Sequence, residues 1–147
     1  MATTFMDIYD RAIFRFMDYD FMRLDIQERE DILDRYLLST VGDVGVIIPD
    51  VLLFDRDTKC FEKDLDNEVV ELLALGVDYY WFSAKVQNSE LLRNSMSTKD
   101  FTYFSPANLM RELRNVRNDL KNEYKSMIAI YSYNHGDFSR LPGGTNE

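Results

Sequence analysis

Cysteine, histidine and long apolar runs are scarce in this sequence. One Cys and one His among 147 residues exclude an internal disulfide and a zinc cluster built from those ligands. No apolar run approaches the roughly 20 residues of a membrane span. The first residues, MATTFMDIYD, lack the basic start and the apolar stretch of a signal peptide. We therefore expect a protein without a membrane anchor, made and kept in a reducing compartment.

The motifs of common enzymes are also missing. The chain has no Gly-rich phosphate loop, no nucleophile elbow, no HExxH and no CxxC. We therefore predict that the protein is not an enzyme and that it has no catalytic, cofactor-binding or metal-binding residues. Two acidic pairs leave one alternative open, because Asp55 with Asp57, or Asp64 with Asp66, could bind Ca²⁺ or Mg²⁺. Neither pair belongs to an EF-hand pattern, and we favour solvated loop acids.

The two residues most often used in catalysis have simpler interpretations here. His135 lies at the end of a predicted helix beside Gly136, where it would interact with the helix dipole. Cys60 lies between Lys59 and Phe61, and we expect a small half-buried side chain rather than a reactive thiol.

Charge is the most conspicuous feature that is present. The sequence has 26 acidic and 17 basic side chains, a formal net charge of −9 and 46% apolar residues. The apolar fraction is sufficient for a core, and the sign argues against a general nucleic-acid binder. Residues 1–68 carry 17 acidic and eight basic side chains, whereas residues 69–147 carry nine of each. The acidic half is either a solvated surface or one that repels an anion or contacts a basic partner.

Apolar spacing predicts two helices in this acidic half. The first follows a cap at Thr3 or Thr4 and places its apolar residues on one face. Asp25 and Glu28 have the spacing of a capping box at the start of the second. Gly42 is a plausible stop signal for that helix.

The middle of the chain contains an irregular segment followed by a very apolar helix. Residues 42–60 include several β-branched and apolar side chains, which are interrupted by Pro49. This segment could form a short strand, a hairpin arm or a loop. The third helix is predicted over residues 66–86. Its apolar side chains cover almost the whole circumference of the helix, and only Glu71, Asp78 and Lys85 form a polar line. We therefore expect this helix to be buried on most sides. A broken or short helix with polar turns should follow it.

A long last helix is predicted after Ser105 as the cap and Pro106 as the first helical residue. It should run to about Asn134, a length of about 42 Å. The predicted fold is mainly α: a helical bundle with one long C-terminal helix, plus an irregular or short β segment around 42–60. Residues 1–135 would form a single helical domain, and residues 136–147 an extended or flexible tail.

The last helix separates its side chains into three faces. A narrow apolar seam includes Leu113, Leu120 and Tyr124. The two charged flanks are basic (Arg111, Arg114, Arg117, Lys121, Lys125) and acidic (Glu112, Asp119, Glu123). Three interpretations stay open: solvated faces, a basic stripe on phosphates, or a subunit interface. In the last case the basic flank of one copy would contact an acidic surface of the next copy, which is a head-to-tail arrangement of subunits. We take these eight residues as the candidate subunit interface.

The order of signals over residues 61–138 resembles a family of small tailed-phage proteins, the head–tail connector or neck adaptor (head-completion) proteins. The resemblance depends on four features in order: Phe61 and Leu65 before Glu68, the aromatic run from Trp81 to Asn88, the segment from Lys99 to Asn108 ending in SPAN, and the YSY from Tyr131 to Tyr133. It covers a little over half of the chain.

The resemblance implies a structural virion protein located in the neck between capsid and tail, and in the host cytoplasm during assembly. Such proteins form a homo-oligomeric ring, commonly of twelve copies, that joins the portal protein to the next neck or tail component. The ring extends the DNA channel, and DNA passes without specific binding. Residues 42–60 and the tail would contact neighbouring rings.

Two alternatives come from other functional classes. The first is a small intracellular regulatory or inhibitory binding protein that presents an acidic face. The second is a metal-dependent enzyme that uses the paired acids named above. A soluble partner would favour the former, and metal-dependent stability or activity the latter.

Overall fold

The computed structural model describes residues 2–13, 24–95 and 107–135. They form four helices, a 3₁₀ turn and a two-stranded antiparallel sheet. The elements in chain order are α1 (Phe5–Ile13), α2 (Ile26–Val44), the turn Pro49–Leu52, β1 (Phe54–Asp55), β2 (Cys60–Phe61), α3 (Asn67–Ser95) and α4 (Ala107–His135). The predicted fold class is confirmed: the chain is mainly helical, with a long last helix and a small β element near residue 60.

Helix α3 lies at the centre of the bundle because its apolar residues cover almost its whole circumference. The other three helices all pack against it. Leu72, Leu73, Ala74, Leu75 and Val77 are consecutive or nearly so in sequence, and all are buried. Such a pattern requires neighbours on several sides, as the sequence predicted. The residues of the polar line have different environments. Asp78 is fully buried, whereas Glu71 binds Arg11 of α1.

Both predicted helix starts in the acidic half have reciprocal cap contacts. At α1, the Asp7 N–H donates to Thr4 Oγ1 at 3.2 Å, and the Thr4 N–H donates to Asp7 Oδ2 at 2.9 Å. At α2, the Asp25 N–H donates to Glu28 Oε2 at 3.4 Å. Each contact satisfies a backbone donor that the first helical turn leaves without an intrahelical partner.

The predicted end of α2 at Gly42 is wrong. The helix continues through Gly42 to Val44, and Gly45 donates its N–H to the Val41 carbonyl at 2.8 Å. Val41 and Val44 are buried against the core. Their burial favours an additional helical turn, and the cost of one helical glycine is only about 1 kcal/mol.

The segment after α2, which was predicted as a strand, a hairpin arm or a loop, contains two short strands. It forms a hairpin in which Phe54 pairs with Phe61, and Asp55 with Cys60. Thr4 makes an antiparallel bridge to Cys60, so the start of the chain lies along the second strand. Lys59 has a positive φ of 54° in the connecting turn, a conformation that few non-glycine residues adopt. The hairpin is therefore attached to the amino-terminal segment.

Helix α3 is longer than predicted. It does not stop near Val86 but continues to Ser95, so the broken helix predicted after residue 86 is wrong over that range. Helix α4 starts at Ala107 and ends at His135, one residue beyond the predicted end. The proposed cap at Ser105 and Pro106, and the tail of residues 136–147, lie outside the described residues.

Helices α3 and α4 run antiparallel. Tyr79 stacks on Tyr124 with ring centroids 5.8 Å apart, and His135 at the end of α4 lies 3.5 Å from Glu68 at the start of α3. Gly76 of α3 lies against both α2 and α4. A Cβ there would lie 2.3 Å from Thr40 Cγ2 and 3.0 Å from Tyr124 Cε1. Gly76 is thus required by the packing of three helices, not by a turn.

Candidate functional site

The basic flank of α4 lies beside its buried seam and is only partly exposed. Arg111, Lys121 and Lys125 are exposed, whereas Arg114 and Arg117 are half-buried. The predicted seam is buried at Tyr124 and half-buried at its other described members, except Val116, which is 40% exposed. The five basic residues therefore differ in exposure, and Arg117 lies beside residues of α3.

The acidic flank lies on the other side of the seam and is fully open. Glu112, Asp119 and Glu123 are all exposed, and Ile130 on the same side of the helix is 57% exposed. The two flanks thus face different directions from the bundle. A single flat partner surface could not contact both of them.

A groove between α3 and α4 collects cationic and neutral donors. We call it the basic groove. Its volume is about 380 Å³, and its lining residues are Tyr79, Ser83, Gln87, Arg117, Asn118 and Lys121. No carboxylate is among them. Among the described residues, the Arg117 guanidinium donates only long bonds, of 3.4 Å, to the side-chain Oδ1 of Asn118. The Ser83 hydroxyl is covered and has no hydrogen-bond partner among the described residues. This arrangement suits an acceptor such as a carboxylate or phosphate oxygen.

A second groove, where α1 meets the start of α3, has the opposite character. We call it the acidic groove. Its volume is about 360 Å³, and its lining residues are Thr3, Asp7, Asp10, Arg11, Asp64, Leu65, Asn67 and Val70. The Thr3 hydroxyl donates to Asp64 at 3.2 Å, and Arg11 binds Glu71 at 2.7 Å. Among the described residues Asp10 is exposed and takes part in no recorded hydrogen bond or ion pair.

Neither acidic pair behaves as an isolated chelating pair. Asp55 accepts the N–H groups of Asp57 and Thr58 at 2.8 and 3.4 Å, which shapes the hairpin turn. Asp64 accepts from Thr3 as described above. Among the described residues, no group of three or more His, Cys, Asp and Glu side chains has an arrangement that could hold a metal ion.

The two residues considered for catalysis have local contacts. His135 stacks on Tyr131 with a centroid distance of 4.1 Å and lies near Glu68, at the end of α4. Cys60 is half-buried in the second strand, and its Sγ lies 3.3 Å from the Thr58 carbonyl oxygen.

The position of α4 depends on one carboxylate that the sequence analysis did not identify. Asp43 of α2 accepts hydrogen bonds from the hydroxyls of Tyr80 and, at 3.2 Å, Tyr124. Burial raises the pKa of Tyr124 and Tyr80 above the ordinary tyrosine value, and the negative charge of Asp43 adds to this effect. The three helices are therefore joined by a polar contact next to Gly76. A glycine within an otherwise apolar helix was the only sequence signal for this junction.

The segment between α2 and the hairpin exposes an apolar surface. We call residues 46–53 the apolar segment. Its exposed side chains are Val46 (83%), Ile47 (36%), Leu52 (51%) and Leu53 (42%). Val51 and Ile48 point into the core and anchor the segment. Clusters of exposed apolar side chains are typical of contact surfaces.

No helix in the described ranges is long and apolar enough to span a bilayer. No family model, curated protein or solved structure matches the chain.

Proposed function

We propose that the chain is a structural subunit of a ring in the neck of a tailed phage, where it joins the portal to the tail and extends the DNA channel. The observation that carries this proposal is the separation of charge on α4. The helix presents a basic flank and an acidic flank in different directions, and the exposed members of both have no recorded ion pair within the described chain. Opposed complementary surfaces are what a head-to-tail ring needs.

The apolar segment supports contacts with another layer of the neck. Four apolar side chains are exposed there, on a scaffold held by the buried Val51 and by the hairpin that follows. Burying such side chains against a partner removes apolar area from water. We therefore propose that the apolar segment contacts the portal or the next neck component, as the resemblance to neck adaptors implies.

The excess acidity of residues 1–68 fits a surface near DNA that does not bind it. Seventeen acids against eight bases in that half give a negative potential, and such a potential repels phosphates. We propose that part of this surface lines the channel of the assembled ring. An assembled ring whose acids from residues 1–68 all lie on the outer rim would refute this placement.

Reconstitution with the portal protein encoded in the same genome tests the proposed function. We expect the wild-type chain to add a ring to isolated portals, visible by electron microscopy. Arg114→Glu with Lys121→Glu should abolish the added ring because the basic flank then repels its acidic partner.

Arg35→Glu with Arg56→Glu is the matched control. It makes the same change in net charge at two exposed positions away from α4 and should retain the ring. Portals that stay bare with the wild-type chain, together with a soluble protein recovered in a defined small complex, would instead support a regulatory binding protein. Full ring occupancy by the α4 variant would contradict the role of the basic flank.

A further inference from the structure

The two grooves are complementary in charge, but they cannot contact each other within one chain. From Asn67, in the acidic groove, to Ser83, in the basic groove, the axis of α3 rises about 24 Å. At about 100° per residue, the two positions lie about 160° apart around the helix. The acidic groove therefore lies at the start of α3 and the basic groove near its middle, on nearly opposite faces of the helix.

We propose that the basic groove receives the acidic groove of a second copy of this chain, with the Asp10 carboxylate placed between Arg117 and Lys121. This inference rests on the proposed ring-forming role and identifies the contact that would produce it. It also narrows the candidate interface, because Arg117 and Lys121 line the basic groove whereas Arg111 and Lys125 do not.

The chemistry of the basic groove favours a carboxylate. Arg117 and Lys121 are donors at neutral pH and accept no hydrogen bonds. None of the described residues that line the groove is an acid that could neutralise the two cations. A carboxylate is an acceptor with two oxygens, and hydrogen bonds to it from charged donors are about twice as strong as neutral ones.

The acidic groove has one carboxylate ready for such a contact. Asp64 is occupied by Thr3, and Asp7 caps α1. The one base in the groove, Arg11, is held by Glu71 and by the side-chain oxygen of Asn67. Asp10 is exposed and, alone among the three acids, makes no hydrogen bond or ion pair with the described residues 2–13, 24–95 and 107–135.

The placement of the grooves determines the type of assembly. A two-fold axis would have to bring both grooves of one copy against both grooves of its partner at the same time. Surfaces on opposite faces of α3 cannot do this, so each copy uses one groove toward each of two neighbours. Such heterologous contacts close into a ring or continue as a filament.

Mixing two variants tests this arrangement in low salt, where charge contacts are screened least. Arg117→Glu with Lys121→Glu disables only the basic groove, and Asp10→Ala disables only the acidic groove. We expect sedimentation velocity to show that each variant alone associates at least about tenfold more weakly than the wild-type chain. A mixture of the two retains one intact contact per pair, and it should form one-to-one dimers that do not grow with concentration.

Arg111→Glu with Lys125→Glu is the matched control, because it makes the same charge change on the same helix outside the basic groove. It should associate like the wild-type chain. As a second measurement, carbodiimide coupling of mixed light and heavy-isotope wild-type chains should link Lys121 to Asp10 between copies. Circular dichroism checks that every variant keeps its helices.

Several outcomes would overturn the inference. One is that the wild-type chain does not self-associate at about millimolar concentration. Another is that the control variant loses self-association as much as the groove variants do. A third is that the mixture of variants grows beyond dimers. Binding of a mixed-sequence duplex DNA that disappears in the basic-groove variant would assign the groove to phosphates instead. Groove pairing in solution without any addition to portals would sustain this inference while contradicting the proposed function.

Discussion

Charged side chains are used differently in the amino-terminal half and on α4. In the first region they join elements: Lys59 of the hairpin binds Glu30 and Asp34 of α2 at 3.0 and 3.1 Å, and Arg11 of α1 binds Glu71 of α3. On α4 the exposed charges have no recorded partner within the described residues; they are Arg111, Glu112, Asp119, Lys121, Glu123 and Lys125. The first set stabilises the fold, and the second is available for contacts outside it.

The contrast continues at the level of single carboxylates. Asp34 accepts both the Lys59 ammonium and the Tyr9 hydroxyl, so it links three elements of the amino-terminal half. The exposed acids of α4 make no hydrogen bond or ion pair with the part of the chain that the structure describes. Asp43 lies between these cases, since it belongs to α2 but holds α4 in place through Tyr124. Ion pairs that join elements and surface charges that select partners can therefore be distinguished by their contacts, although both look alike in the composition.

The largest expected effect is at Gly76, where the two regions meet. Gly76→Ala places a Cβ against Thr40 and Tyr124, and overpacking of this kind lowers the free energy of unfolding by about 2 kcal/mol. Urea unfolding followed by circular dichroism measures the loss. Adding Thr40→Ala removes both Thr40 atoms that a Cβ at Gly76 would meet, so the double variant should lose less than the sum of its single variants.

Gly42→Ala is the control for helix propensity. Gly42 is exposed within α2, and a Cβ there meets nothing within 4 Å. The substitution should raise the free energy of unfolding by about 0.5–1 kcal/mol. A gain of the same sign at Gly76 would show that the three helices do not approach there as described.

Alkaline pH should be the next most damaging change, because it acts on contacts in both regions. Burial raises the pKa of Tyr9 and Tyr124 above the ordinary value of 10.0, and so does the adjacent carboxylate, Asp34 or Asp43. A raised folded-state pKa contributes stability that is fully present below the unfolded-state pKa. That stability is lost as the pH rises above about 10.

Ultraviolet absorbance of tyrosinate measures this loss together with the helical signal. We expect the buried tyrosines to ionise only as the helices unfold, in one cooperative step above about pH 10. Ionisation of all nine tyrosines with the helices intact would contradict the burial of Tyr9 and Tyr124.

The ion pairs of the amino-terminal half should contribute differently to the free energy of unfolding, because they are buried to different extents. Lys59→Met removes a cation that contacts two partly buried carboxylates, and we expect a loss of about 1 kcal/mol in the free energy of unfolding. Hydrogen bonding to Glu30 raises the pKa of Lys59, which agrees with a favourable contact. Lys63→Met breaks the Lys63–Asp50 pair, which is more than half exposed on both sides, and should change stability too little to measure. Equal losses would mean that Lys59 does not join the hairpin to α2.

Local features were the part of the fold that sequence reasoning could predict. The caps at Thr4 and Asp25 depend on residues three positions apart, and the charged flanks of α4 depend only on the helical period. The junction at Gly76 and Asp43 could not be found in this way, because Thr40, Asp43, Gly76 and Tyr124 come from three helices. The end of α2 was misjudged for the same reason: burial of Val44 in the core outweighs the stop signal at Gly42.

The candidate site was predictable to the same limited extent. The five basic residues of α4 were identified as one flank, and the helical period places Arg117 and Lys121 nearest to the apolar seam. It does not show which side chains of another helix lie beside them, and those are Ser83 and Gln87 of α3, which complete the basic groove. Likewise, Asp10 and Asp64 are 54 positions apart in the chain, and only the packing of α1 against α3 places them in one groove.

The smallest expected effect on stability comes from reversing charge on α4, and it tests the comparison most directly. Arg111→Glu with Lys125→Glu changes two exposed cations without recorded partners, so the free energy of unfolding should stay within about 0.5 kcal/mol of the wild type. Glu30→Lys in the amino-terminal half replaces a partner of Lys59 with a like charge and should be clearly more destabilising. If instead the α4 variant unfolds at lower urea than the Glu30 variant, the charges of α4 stabilise the isolated chain. Their availability for a partner would then have no support from the folded structure.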